Sequence, residues 1–88
     1  MPSERVHAYY LRDLGYLLRE RAEEATRRAR SIRKKRAVPD RTVEDAFAEG
    51  LAQGYYEVIS VMHHQAEAFG IPLADLALQD LDPERDLI

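Results

Sequence analysis

The chain has no cysteine and no tryptophan. Without cysteine it can form no disulfide framework, no thiolate zinc site and no cysteine nucleophile. Serine occurs only at Ser3, Ser31 and Ser60, and no base is placed beside any of them, so the sequence offers no support for nucleophilic catalysis. No catalytic residue, bound cofactor or resident metal is expected. Long apolar runs are also missing. Nothing approaches the ~18–20 residues that cross a bilayer. The opening MPSERVHAYY carries charge where an export signal needs an apolar centre. A cytoplasmic protein with no membrane partner is the resulting expectation.

Proline and glycine are scarce, four of each in 88 residues, and they punctuate the chain rather than fill it. From the Pro2-Ser3 helix start to Arg36 the only break in helical patterning is Gly15. Val6, Tyr10, Leu14, Leu17, Ala22, Ala25, Ala29 and Ile32 recur at steps of three to five and share a face, so residues 3–36 are predicted to be one helix. Its first half adds Tyr9, Leu11, Tyr16 and Leu18, widening the apolar arc. Its second half narrows to an alanine stripe.

Ala37-Val38-Pro39-Asp40-Arg41 ends that helix, because proline disfavours helix at the preceding residue and cannot continue the ladder. Thr42 with Asp45 has the spacing of a capping box, though Glu or Gln is the commoner third partner. A second helix is predicted over 42–69, stopped by Gly70 and then Pro72. Two long helices joined by about five residues are antiparallel neighbours. In residues 70–88, Leu73, Leu76 and Ala77 are expected to form a short helical segment that docks on the open end of this hairpin. Asp82-Pro83-Glu84 reads as one further helix start, followed by a fraying end. The fold class is therefore all-α: a single domain made of an antiparallel helical hairpin with a C-terminal docking segment.

A chain this short buries only about 60% of its unfolded surface, so reinforcement by self-association is expected. Val58, Val61, Met62, Gln65 and Phe69 on the second helix, with Tyr10, Leu14 and Leu17 on the first, supply more apolar surface than one hairpin can hide. They are the predicted dimer interface of a four-helix bundle. Gln65 lies in mid-face, where a polar group needs a partner and can fix register. A hairpin register placing Ala25 and Ala29 opposite Gly54 and Gly50 predicts close helix–helix contact at those four residues. That contact would offset the ~0.5–1 kcal/mol each interior glycine costs.

Charge is divided between the halves. Residues 1–40 hold eleven basic and six acidic side chains, net +5, and residues 41–88 hold two and ten, net −8. Opposed halves attract when folded back to back, and the register sets Arg27, Arg28 and Arg30 beside Glu44–Glu49. The run Arg27–Arg36 contains seven basic residues and no acid. Its plainer reading is a solvated helix end whose cations complement the macrodipole. The runner-up is a nucleic-acid contact through Arg33, Lys34, Lys35 and Arg36, although the run lacks interleaved aromatics. His63, His64 and Glu67 lie within about one turn and could share a metal or small ligand, but they do not match the Glu-x-x-His order of di-iron bundles. His7 reads as a core or interface residue. The leading functional reading is a small, non-catalytic interaction or regulatory module acting as a homodimer. The alternatives are a nucleic-acid accessory protein and a metal- or ligand-binding bundle.

Overall fold

The structure, a computed structural model, describes the backbone of residues 2–88 and the side chains from Arg5 onward; which of Pro2 and Ser3 caps the first helix lies outside the described residues. Helix α1 spans Pro2–Lys35 and helix α2 spans Val43–Phe69, packed antiparallel. A 3-10 turn at Val38–Asp40 lies between them. After α2 come a second 3-10 turn at Leu73–Leu76 and a four-residue helix α3 at Pro83–Asp86. The expected boundaries hold to within about a residue.

The turn is closed by the full capping box. Thr42 Oγ1 accepts from the Asp45 N–H and Asp45 Oδ2 accepts from the Thr42 N–H, each at 3.1 Å. Arg36 donates to the same carboxylate oxygen from the end of α1. This guanidinium, and then the Thr42 backbone, hold the Asp45 carboxyl below its ordinary value. One aspartate thus joins the exit of α1 to the entry of α2. Gly70 stops α2 in the left-handed conformation, φ 68°, where glycine pays no Cβ penalty.

The C-terminal segment does much more than dock on the open end. It runs along the groove between the helices, starting at Gly15 and reaching Arg30. The Leu76 backbone lies directly on Gly15: a Cβ there would sit 1.8 Å from the Leu76 carbonyl oxygen. Arg19 Nη1 donates to the carbonyls of Ala77 (3.1 Å) and Gln79 (2.7 Å). Farther along, Arg30 Nε donates to the Ile88 carbonyl at 2.7 Å. Leu78, Leu81 and Leu87 are buried, and with Ala22 and Ile59 they form the main core. Ile59 and Leu78 are the largest side chains buried completely. The expectation of a fraying end is corrected, because Leu87 is core and Ile88 is held by Arg30.

A second correction concerns the close helix contact. Ala25 and Ala29 are buried as expected, but their partner is Ala52, with Tyr55 alongside. Gly50 and Gly54 are exposed, and a Cβ at either would meet nothing within 4 Å. The axial register is close to the expected one, and the rotation of α2 about its axis differs from it. Two residues' displacement along a helix turns the side chain by roughly 200°, so glycines two positions from Ala48 and Ala52 face away from α1.

The molecule is long and thin, 56 × 21 × 16 Å. Its radius of gyration is 15.5 Å, whereas a compact chain of this length would give about 12 Å.

Candidate docking face

The C-terminal segment covers one side of the hairpin and thereby defines the other. On α1, Gly15, Arg19 and Arg30 face the segment, and Ala22, Ala25 and Ala29 form the inner row. At 3.6 residues per turn, Tyr10, Leu14 and Leu17 fall on the opposite flank of that row. On α2, Ala48, Ala52, Ile59 and Ala66 are the inner row, and Tyr56, Ser60 and His63 border the Asp82–Glu84 part of the segment. Leu51, Val58, Met62, Gln65 and Phe69 occupy the other flank, with Phe47, Gly54 and Val61 beyond them. Both uncovered flanks therefore lie on the side of the hairpin away from the C-terminal segment.

That side is apolar and bare. Tyr10 is 65% exposed, Val61 60% and Phe69 74%; Leu14, Leu17 and Val58 are exposed to lesser degrees. Gln65 is exposed among them, and Met62 is half-buried against the core. The stripe on α2 follows a heptad step: Phe47, Leu51, Gly54, Val58, Val61, Gln65, Ala68. Such a step is the pattern of a helix that packs along another helix. Phe47 and Leu51 extend the eight residues singled out from sequence, and the 4-3 spacing was the signal that could have found them.

Exposed apolar residues scattered singly are ordinary, but a contiguous stripe on two neighbouring helices marks a contact surface. The accessible surface is 6502 Å², about 1,200 Å² above the ~5,300 Å² that size scaling gives a compact monomer of 10.1 kDa. A stable dimer needs about 800 Å² from each partner.

The remaining candidates are placed as follows. Arg33, Lys34 and Lys35 are exposed at the closed end, with no ion pair among the described residues, while Arg36 is engaged by Asp45. The expected pairing of Arg27, Arg28 and Arg30 with Glu44–Glu49 is replaced by Arg36–Asp45 and by Arg41–Glu49 at 3.0 Å, and Arg30 turns to the C-terminal segment instead. His63, His64 and Glu67 border a shallow cleft beside Asp82–Glu84. Among the described residues no three His, Asp or Glu side chains come together to hold a metal ion. His7 is exposed. Among the described residues no helix is long and apolar enough to cross a membrane. Comparison with family models, with curated proteins and with solved structures gives no match for this chain.

Proposed function

We propose that this chain is a small non-catalytic interaction or regulatory module that works as a homodimer, two hairpins joining into a four-helix bundle. The observation that carries the reading is the pair of bare apolar flanks on the side away from the C-terminal segment. A hairpin whose inner rows are mostly alanine gains little from its own helix–helix contact. A second copy would bury the leucines, valines and aromatics left outside. Aromatic and aliphatic anchors with a central polar residue, Gln65, suit an interface in which the polar group fixes register.

Light scattering on wild type and on Val61→Glu tests this. Val61 is 60% exposed in the single chain, so the charge leaves the protomer fold intact. The expected result is a dimer for wild type and a folded, helical monomer for the variant. A dimer unaffected by Val61→Glu would remove the proposed face.

A second reading rests on the exposed Arg33, Lys34 and Lys35 at the closed end, which could meet phosphates. Salt-dependent retention on DNA or RNA, lost on replacing Arg33, Lys34 and Lys35 by alanine, would support it. No retention at low salt would dismiss it.

A further inference from the structure

The bare face has a polarity along its length, and that polarity selects one way for a second copy to dock. On α1 the positions His7, Leu14, Arg21, Arg28 and Lys35 follow one another at sevens on this flank, beside Tyr10, Leu17, Glu24 and Ser31, so it is mostly apolar near the open end and, with Glu24 as its one acid, net basic near the turn. On α2 the apolar stripe runs the whole length from Phe47 to Phe69. The exposed acids on either side of that stripe are Glu44 and Glu57.

We infer that the second copy docks with α1 of each protomer lying antiparallel on α2 of its partner, about a two-fold axis running along the hairpin, open end on open end. This rests on the homodimer reading above and names its geometry. Rotation about an axis parallel to the helices leaves the height of every residue unchanged. Ala22 packs with Ile59 and Ala25 with Ala52 inside one hairpin, so residues whose numbers add to about 79, midway between those two pairs, are level both within it and across the interface. Leu17 then meets the partner's Val61, and Leu14 meets the partner's Gln65. Toward the turn, Arg21 lies level with the partner's Glu57 and Lys35 with the partner's Glu44. Apolar ends meet apolar ends, and the basic half of α1 meets the acidic helix.

The other closed arrangement turns the partner end over end, stacking α1 on α1 and α2 on α2. With full overlap it places Arg21 and Arg28 against the partner's apolar Tyr10–Leu17 region, so these cations are desolvated against apolar side chains. Overlap of the open ends alone leaves Phe47 and Leu51 uncovered.

Because the chain has no cysteine, single-cysteine variants of the full chain report the arrangement without background. Leu17→Cys and Val61→Cys chains are mixed, allowed to exchange subunits and treated with a short thiol–thiol cross-linker. Leu14→Cys alone serves as the contrasting variant. The inference expects a covalent dimer in the Leu17→Cys/Val61→Cys mixture, strong relative to either variant alone, and no link in Leu14→Cys. A dimer by light scattering that links through Leu14→Cys alone, or fails to link in the mixture, overturns this geometry while leaving the homodimer standing. A folded monomer overturns both.

Discussion

Two glycines on α1 and α2 have opposite significance, and the difference lies in what a methyl group would meet. At Gly15 it would collide with the Leu76 carbonyl, a backbone atom that cannot swing aside. Gly15→Ala is expected to destabilise the fold by at least about 2 kcal/mol, the scale of overpacking in a tight site. Gly50 has open space around it, so Gly50→Ala should instead stabilise α2 by about 0.5–1 kcal/mol through backbone entropy alone. Urea denaturation of the two variants at one fixed protein concentration checks the pair, and a shared sign would contradict the placement of the C-terminal segment. Asp45 carries a third expectation. Its folded-state value is lowered, first by Arg36 and then by the Thr42 backbone, so the carboxylate's contribution is fully present above the ordinary aspartate value of 3.8. It is lost as pH falls through the lower folded value. Acid unfolding followed by circular dichroism should therefore show a smaller loss below about pH 4 in Asp45→Asn than in wild type. The variant itself starts from lower stability at neutral pH. An identical acid profile would exclude Asp45 as the clasp.

At the scale of elements, the C-terminal segment is the third wall of the core. Leu78 is fully buried, and truncation at Leu78 or Leu81 to alanine should cost about 2–5 kcal/mol each in chemical denaturation. Costs near zero would mean that the segment does not lie in the groove. Helix boundaries were legible in the sequence because their determinants are local: Pro39 and the Thr42–Asp45 box at the turn, Gly70 at the stop, Asp82-Pro83 at α3. The path of residues 71–88 was not legible. It has no helical period, it uses positive φ at Ala77 and Asp80, and it is held by Arg19 and Arg30 from some sixty residues away. Its one local trace was Gly15, the lone glycine in a long helix, which marks where a backbone must approach. Gly50 and Gly54 misled for a related reason. Helix α2 is apolar on two faces, and periodicity alone does not say which of them meets α1. Occupation of the groove by Leu78, Leu81 and Leu87 decides it, leaving the Phe47–Phe69 stripe outside.

For the whole molecule, length and exposed surface belong together. A 56 Å rod with two large side chains fully buried carries much of its apolar area on the outside. Every residue in the proposed interface is at least partly accessible in the single chain, and the segment that closes the opposite side leaves that face clear. The proposed interface therefore requires association. Sedimentation equilibrium of the wild-type chain at micromolar concentration and moderate salt tests it most directly. The expected mass is about 20 kDa, twice the 10.1 kDa of one chain. A fully helical, cooperatively folded species sedimenting as a single 10.1 kDa chain would contradict it.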